Sequence, residues 1–269
     1  MRDKIIVGIT QGDSNGIGYE VIIKALSDAR MSEICIPVIY GSSRIFGFYK
    51  KRIPETEQVN TNIINGVEDA HSKRINIINC VPDNRAFDPG QPGADGAKAA
   101  IISRESAVKD LKKGKIDSMV TAPFNKHTVR EAGFAFPGHT EYLTSEFGEN
   151  DGLMFLCTET MKIGVVTNHL SLAKVSDAIT KDMILSKLKL MNESLMKDFA
   201  VIRPKIAVLG LNPHSGDGGS LGTEEIEVIN PAIEAANGEN ILAFGPYSPD
   251  GFFGSHMQYK FDAVLAMYH

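Results

Sequence analysis

Short apolar runs rich in Val and Ile recur along the chain, and longer segments of mixed polarity separate them. Most of these runs are continuously apolar rather than alternating, which is typical of strands buried on both faces of a parallel sheet. The pattern predicts strands at residues 4–10, 36–41, 75–79, 117–122, 152–157, 162–167, 205–211, 241–244 and 262–267.

Two of the intervening segments have the spacing of apolar residues that amphipathic helices show. Segment 181–199 is predicted to begin after an N-cap at Thr180, and its apolar stripe consists of Ile184, Leu188, Met191 and Leu195. Segment 96–113 is predicted to be capped by Asp95, and its stripe consists of Ala97, Ala100, Ile101, Val108 and Leu111. The alternation of strands and helices predicts an α/β fold with mostly parallel sheets flanked by helices.

The length of 269 residues suits two lobes of ordinary size. The strong apolar run 117–122 is followed by a break at residues 123–126, which is the predicted hinge. We therefore expect a first lobe at residues 1–125 and a second lobe at residues 126–269.

Composition excludes several classes of function. The net charge of −5 provides no surplus of Lys and Arg for nucleic acid binding. No apolar stretch is long enough for a bilayer, and Gly8 interrupts the N-terminal run, unlike a signal peptide. The three cysteines, Cys35, Cys80 and Cys157, lie in or beside apolar runs without Cys-x-x-Cys spacing. We therefore expect buried free thiols and a cytoplasmic protein.

A glycine-rich segment at residues 12–18 follows the first predicted strand. Glycines between a strand and a helix allow backbone N–H groups to approach an anion closely. The spacing matches neither the dinucleotide-binding fingerprint nor a P-loop. A tight turn without a ligand is therefore the favoured interpretation.

Two further segments place polar side chains after a strand or in a turn. In Thr-Ala-Pro-Phe-Asn-Lys, Lys126 is placed to bind a carboxylate or phosphate or to carry a proton; a solvated lysine is the alternative. In Gly-His-Thr-Glu, His139 and Thr140 are placed to face a ligand; a helix start capped by Thr140 is the alternative. His139 has no role in that alternative, which favours a ligand.

Three histidines each follow a predicted buried strand: His169, His214 and His269. Parallel strands deliver the residues after them to one edge of a sheet. Neutral imidazole is a common zinc ligand, and three protein ligands leave a position open for a substrate. A lone histidine is more often a packed or surface residue, but three in equivalent positions indicate a metal site. The Gly-rich segment 215–225 has two equal interpretations, a phosphate-binding loop and a mobile connector.

Together these segments match the motifs of a known family. Ile-Thr-Gln-Gly-Asp with Asn-Gly-Ile-Gly, Val-Thr-Ala-Pro-Phe-Asn-Lys, Gly-His-Thr-Glu, Thr-Asn-His-Leu, Gly-Leu-Asn-Pro-His-Ser-Gly and Ala-Met-Tyr-His occur in that family's order, from the N-terminus to the last residue. The chain resembles the 4-hydroxythreonine-4-phosphate dehydrogenases of vitamin B6 biosynthesis.

The resemblance implies a homodimer of two-lobed α/β subunits, similar in fold to isocitrate and isopropylmalate dehydrogenases, with the active site in a cleft between the lobes. It implies that His169, His214 and His269 bind a divalent metal at the dimer interface. It also implies that His139 and Thr140 contact the substrate and that Lys126 lies close by. Zinc is the expected metal, with manganese, cobalt and magnesium as alternatives.

The implied reaction is the oxidation by NAD⁺ of 4-phosphooxy-L-threonine, a small phosphorylated hydroxy amino acid. The product, 2-amino-3-oxo-4-phosphooxybutanoate, loses CO₂ to give 3-amino-2-oxopropyl phosphate. A divalent ion suits this chemistry because it lowers the pKa of the hydroxyl and stabilises the enolate that forms as CO₂ departs. The general base is left open between Lys126 and a metal-bound water, and no NAD-binding residues are assigned.

Two features depart from the family pattern. Tyr19 stands where the family commonly has Pro, which we expect to affect the helix start more than the chemistry. The chain ends at His269, whereas family members continue through Asp-Gln-Gly and a further segment whose Lys, Asn and Arg residues bind the substrate. We therefore expect a truncated chain that keeps the metal ligands and lacks part of the substrate site.

Three alternatives to this function are open. A dehydrogenase of threonate or erythronate 4-phosphate would share the fold and the metal. A zinc hydrolase would also use three histidines and an open coordination position, but it would turn over without NAD⁺. A truncated, inactive form would bind metal and ligand and produce no NADH.

Overall fold

The computed structural model describes residues 4–56, 59–83, 86–136, 138–148 and 152–269. The chain divides into two compact units, Met1–Phe147 and Gly148–His269. Segment 126–147, which the sequence assigned to the second lobe, lies in the first unit. There Phe134 and Tyr142 pack with Ala97 and Val108, which belong to the long helix before this segment. This packing joins residues that are distant in sequence. The local apolar pattern that suggested a boundary at 125/126 therefore could not predict it.

The first unit is built on a parallel sheet. Its strands are β1 (Ile5–Thr10), β2 (Cys35–Gly41), β3 (Thr61–Ile64), β4 (Ile75–Asn79) and β5 (Ser118–Thr121). The order in this five-stranded sheet is β3-β4-β2-β1-β5, and every pair is parallel. The helices are α1 (Gly18–Leu26), α2 (Met31–Ile34), α3 (Ser43–Lys50), α4 (Ala94–Lys112), α5 (Lys126–Glu131) and α6 (His139–Glu146), with 3₁₀ turns at Pro54–Thr56 and Val67–Asp69.

Helices cover both faces of this sheet. On one face Tyr19 and Ile23 of α1 pack with Ile39 of β2. On the other face Ala107 of α4 packs with Val38 of β2. Burial on both faces explains why the strands read as continuous apolar runs. The unpredicted strand β3 has four residues at the sheet edge, and only Ile64 among them is buried.

The second unit has a mixed sheet. Its strands are β6 (Met154–Cys157), β7 (Lys162–Thr167), β8 (Lys205–Leu209), β9 (Leu242–Tyr247) and β10 (Ala263–Tyr268). The order is β6-β7-β10-β8-β9, and only β6 pairs in the antiparallel sense. The helices are α7 (Val175–Ala178), α8 (Lys181–Lys197), α9 (Asn230–Gly238) and α10 (Pro249–Gly254). A π-helical turn spans Glu225–Ile229, and 3₁₀ turns span Leu172–Lys174, Pro213–Gly219 and Met257–Lys260.

The predicted elements are present, and the α/β class with mostly parallel sheets is confirmed. The strands predicted at 75–79 and 162–167 have the predicted ends. Thr180 is the N-cap of α8, where its side chain accepts a hydrogen bond from the Met183 N–H at 3.2 Å. The cap predicted at Asp95 is wrong, because Gly93 takes the N-cap position with extended backbone and Asp95 lies in the first turn.

The cysteines differ in their surroundings. All three are free thiols, with Cys35 buried, Cys80 partly buried and Cys157 exposed. The prediction of burial is therefore wrong for Cys157, which lies at the end of the antiparallel strand β6, where the burial pattern turns outward. Among the helices that the structure describes, none has both the length and the apolar character needed to cross a membrane.

Candidate active site

The first unit has a pocket at the carboxyl ends of β1 and β5. The chain leaves β1 toward β2 on one side, whereas β5 lies on the other side of β1. Parallel sheets commonly bind ligands in the crevice at such a reversal of strand order. The pocket has a volume of ≈ 300 Å³ and is lined by residues 13, 15–17, 90–92 and 123–125.

The walls of this pocket require a glycine at position 12. Gly12 has φ +69, and a Cβ there would lie 2.3 Å from the carbonyl oxygen of Pro123. The next N–H, of Asp13, donates to that carbonyl at 3.1 Å. The Asp13 carboxylate in turn accepts from the Asn15 N–H at 2.9 Å, within the same turn. These contacts are those of the tight turn that the sequence favoured for this segment.

Tyr19 is part of the core beneath the pocket. Its side chain is fully buried, and its hydroxyl donates to the side-chain oxygen of Gln11 and accepts from the Ser42 N–H at 2.8 Å. The ring also stacks on Tyr49, with 5.8 Å between the centroids. The residue that departs from the family pattern therefore ties α1 to the ends of β1 and β2.

Lys126 is the first residue of α5, next to the pocket. The side chain of Asn125 caps this helix by accepting from the N–H groups of His127 at 2.9 Å and Thr128 at 3.2 Å. Lys126 itself is exposed and lines a depression of ≈ 270 Å³ together with His127, Arg130 and Phe136. The sequence predicted this lysine at the carboxyl end of a strand, and the structure places it there.

His139 is the first residue of α6 and lies beside Lys126. Its ring packs edge-on against Phe124, with 4.4 Å between the centroids, and its buried Nδ1 has no hydrogen-bond partner among the described residues. Burial, followed by the charges of Arg104 and Lys126, lowers the pKa of His139 to about 4. The imidazole is therefore neutral near pH 7 and has one polar atom available for a ligand.

Thr140 follows His139 on the first turn of α6 and is partly buried. The N-cap of this helix is Gly138, so Thr140 is not the capping residue that the alternative interpretation required. The structure thus brings Lys126, His139 and Thr140 to one end of the first unit.

Arg104 belongs to this region although the sequence interpretation did not include it. Its side chain is 1% exposed and lies over the rings of Phe134 and Tyr142, at 3.8 and 4.3 Å from the centroids. Its position on the apolar stripe of α4, four residues after Ala100, was the signal available in the sequence.

The three predicted metal ligands follow the three inner strands of the sheet in the second unit. Strands β7, β10 and β8 are parallel neighbours, and His169, His269 and His214 follow them. The ends of β7 and β10 are joined by a hydrogen bond from the Thr167 hydroxyl to the Met267 carbonyl at 2.9 Å. All three histidines are exposed. The three histidines thus come after neighbouring parallel strands.

Their side chains are not gathered into a finished site. Within the described parts of the chain, no three His, Cys, Asp or Glu side chains are placed to hold a metal ion together. The donor set nevertheless fits a divalent metal, because exposed imidazoles are ligands for zinc and related ions. Metal binding by the three histidines stays a prediction.

The loop that carries His214 has an unusual backbone. Residues 214–219 all have positive φ, including His214 at 53°, Ser215 at 52° and Asp217 at 43°. Left-handed backbone is costly for residues other than glycine, so other contacts must hold this conformation. Glu225, which is 2% exposed, accepts from the N–H groups of Leu211 and Asn212 at 2.7 Å each.

Asp250 is a further acidic side chain near His214 that the sequence interpretation missed. A hydrogen bond from the Ser248 hydroxyl and one from the Gly251 N–H lower its pKa, and the charge of His214 acts in the same direction. It lies at the start of α10, directly after β9. In the sequence, Asp250 was recognisable only as an acidic residue at a helix start after a strand. Many such residues have no functional role.

The chain is similar to proteins of known family along its whole length. A family model described as Pyridoxal phosphate biosynthetic protein PdxA matches residues 33–269. The chain is 43% identical over 269 residues to the 4-hydroxythreonine-4-phosphate dehydrogenase of Bacteroides thetaiotaomicron, covering 100% of this chain and 73% of that protein. It is 33% identical to a protein of Symbiobacterium thermophilum with the provisional name D-threonate 4-phosphate dehydrogenase, covering 100% of this chain and 80% of the relative. The crystal structure of 4-hydroxythreonine-4-phosphate dehydrogenase from Klebsiella pneumoniae has a TM-score of 0.88 at 31% identity, covering 98% of this chain and 80% of that one.

Proposed function

Because the chain belongs to the family of the pyridoxal phosphate biosynthetic protein PdxA, we propose that it oxidises 4-phosphooxy-L-threonine with NAD⁺ and a divalent metal. The hydride of the hydroxyl-bearing carbon passes to NAD⁺, the hydroxyl proton is lost, and 2-amino-3-oxo-4-phosphooxybutanoate results. This acid then releases CO₂ to give 3-amino-2-oxopropyl phosphate. The observation that carries the proposal is the similarity, along the whole chain, to relatives named for this activity.

In the first unit, Lys126, His139 and Thr140 form the proposed substrate-binding group. A neutral His139 can donate or accept a hydrogen bond through its Nδ1, which suits a substrate that carries hydroxyl and phosphate oxygens. Lys126 adds a positive charge for the phosphate or carboxylate, and it is also the proposed proton carrier. Thr140 adds a hydroxyl that orients the bound molecule.

In the second unit, His169, His214 and His269 would hold the metal. Support comes from their placement after three neighbouring parallel strands and from the chemistry of imidazole. Zinc is the proposed ion, with manganese, cobalt and magnesium as alternatives. A bound metal would polarise the substrate oxygen, and NAD⁺ would accept the hydride.

We also propose that the protein is a homodimer with its active site at the subunit interface, and that it is cytoplasmic. The homodimer is implied by the resemblance to the family, whereas the cytoplasmic location is inferred from the three free cysteines. The exposed position of the three histidines supports the first, because a ligand or a second subunit can reach them.

A second candidate substrate is D-threonate 4-phosphate. The Symbiobacterium thermophilum relative carries that name provisionally. The two substrates differ at the second carbon, where threonate has a hydroxyl in place of the amino group. The fold and the metal would be the same for both.

The test is NADH formation by the purified, zinc-loaded protein with 4-phosphooxy-L-threonine, followed at 340 nm with and without a chelator. We expect NADH that disappears with the chelator and returns when zinc is restored. D-threonate 4-phosphate is tested in parallel as the second candidate. If it is turned over faster, it replaces 4-phosphooxy-L-threonine as the proposed substrate. Product formed without NAD⁺ would favour a hydrolase, and no NADH from either acid would overturn the proposal.

A further inference from the structure

Arg104 is a buried cation, and two of its three side-chain nitrogen atoms lack hydrogen-bond partners among the described residues. It lies on α4 and is 1% exposed. Among the described residues, its Nε and Nη2 atoms have no hydrogen-bond partner. A buried guanidinium is costly unless another interaction compensates for the lost water.

Aromatic rings supply that compensation. The Arg104 guanidinium carbon lies 3.8 Å from the ring centroid of Phe134, 4.3 Å from that of Tyr142 and 5.7 Å from that of Phe124. The rings also contact one another, with centroids 5.6 Å apart for Phe134 and Tyr142. A planar guanidinium stacks on aromatic faces and is more weakly hydrated than an ammonium, so this enclosure suits arginine rather than lysine.

The three rings come from three places along the chain. Phe124 follows β5, Phe134 follows α5, and Tyr142 lies on α6. One side chain from α4 therefore contacts three rings of segment 124–142. That segment also carries Lys126 and His139.

Phe124 connects the enclosure to the proposed substrate-binding group. The same ring that faces Arg104 packs against the His139 imidazole, with centroids 4.4 Å apart. We propose that Arg104 is a positioning residue, whose guanidinium in the Phe124, Phe134 and Tyr142 enclosure fixes the placement of His139 and Lys126. It contacts no substrate itself.

The charges around His139 support this role. Arg104 on α4 and Lys126 on α5 are both positive and, after burial, lower the pKa of His139. Phe124, which the imidazole contacts, carries no charge. On α6 itself, the titratable residues next in sequence are Glu141 and Tyr142. Arg104 thus holds the ring in place and favours its neutral form. The inference depends on the proposed function only for the statement that His139 meets the substrate.

The first experiment is an NMR titration of His139 in the ligand-free protein. We compare the wild type with Arg104→Met, which keeps the length and apolar bulk of the side chain but removes the charge. We expect the titration midpoint of His139 to rise by ~1 pH unit in this variant. Arg52→Met is the matched control, because it removes an exposed arginine that lies 3.4 Å from the Phe48 centroid in the same unit. An unchanged midpoint in folded Arg104→Met would overturn the inference, whether or not the substrate assignment is correct.

The second variant, Arg104→Lys, keeps the charge and loses the planar group. We expect a His139 midpoint close to that of the wild type, with kcat/KM lowered by a factor on the order of 10 through misplacement. This variant also serves if Arg104→Met does not fold. Wild-type kcat/KM in Arg104→Lys would contradict the positioning role. If the wild type itself makes no NADH, the proposed function fails, and the titration still decides the role of Arg104.

Discussion

Glu225 shows how one carboxylate shapes the surroundings of a predicted metal ligand. It accepts two backbone N–H groups, and its second oxygen accepts from the Asn212 amide at 2.9 Å. These donors lie directly before His214 in the chain. Hydrogen bonds from several donors stabilise a buried carboxylate, and removing it leaves the two backbone N–H groups without this acceptor.

Replacing Glu225 with Ala should lower the free energy of unfolding by ~2 kcal/mol, because the N–H groups of Leu211 and Asn212 lose their acceptor, whereas the Asn212 amide still donates to Glu224. Urea denaturation at neutral pH measures the change. Glu227→Ala is the control, since Glu227 is exposed on the same π-helical turn and should change stability by less than ~0.5 kcal/mol. Equal effects of the two substitutions would contradict the anchoring role of Glu225.

His139 should make stability depend on pH. Its pKa is about 4 in the folded chain, below the ordinary value of 6.5, so the unfolded chain binds more protons between these values. The stability due to neutral His139 is therefore present above pH 6.5 and is lost as the pH falls toward 4. Wild-type protein should lose more unfolding free energy between pH 7 and pH 4.5 than His139→Gln. The exposed His127→Gln is the control and should follow the wild type; parallel curves for wild type and His139→Gln would count against the burial of this imidazole.

At the scale of elements, the loop at 214–219 has a continuous left-handed backbone. A Cβ on Gly216 would lie 2.7 Å from the Glu225 carboxylate and 2.8 Å from the Gly222 carbonyl, at φ +79. Gly216→Ala should therefore cost ~2 kcal/mol of unfolding free energy. Gly238→Ala is the control, because nothing lies near its Cβ position. Thermal denaturation of both variants measures the change in stability. If Gly216→Ala is as stable as the wild type, the loop can relax to accept a Cβ.

The opposite change at a neighbouring position should stabilise the same loop. Ser215 has φ 52, and its buried hydroxyl has no partner among the described residues. Ser215→Gly removes both costs, so the free energy of unfolding should rise by ~1 kcal/mol. Urea denaturation measures the difference, and a loss of stability would show that the hydroxyl contributes a favourable contact.

Elements that depend on local pattern were predictable, whereas contacts across the chain were not. The stripe Ile184, Leu188, Met191 and Leu195 is fully buried, as its spacing indicated. Strand β3 escaped prediction because its residues alternate in exposure and it is short. The role of Arg104 was also not predicted. A charged residue on an apolar stripe can be explained only once the aromatic rings around it are known.

At the scale of the whole molecule, the candidate residues fall in both units. Lys126, His139 and Thr140 lie in the first unit, and the three histidines of the predicted metal site lie in the second. The family assignment made from the motifs is confirmed by the family model and by the similarity to relatives. Those motifs extend over both units. The position of the boundary between the units required the aromatic packing around Arg104, which joins α4 to segment 124–142.

The metal site of the second unit can be tested with a closely matched pair of histidines. His214 and His256 both have left-handed backbone, at φ 53 and φ 57, so Asn replaces either one without new backbone strain. If His214 is a ligand, His214→Asn should weaken Zn²⁺ binding by a factor of ~100 or more, since even outer partners of a metal site contribute 10- to 100-fold. His256→Asn, to which no role is assigned, should bind as the wild type does. Isothermal titration of the metal-free protein measures both, and equal affinity in all three proteins would remove His214 from the site without affecting the role proposed for Arg104.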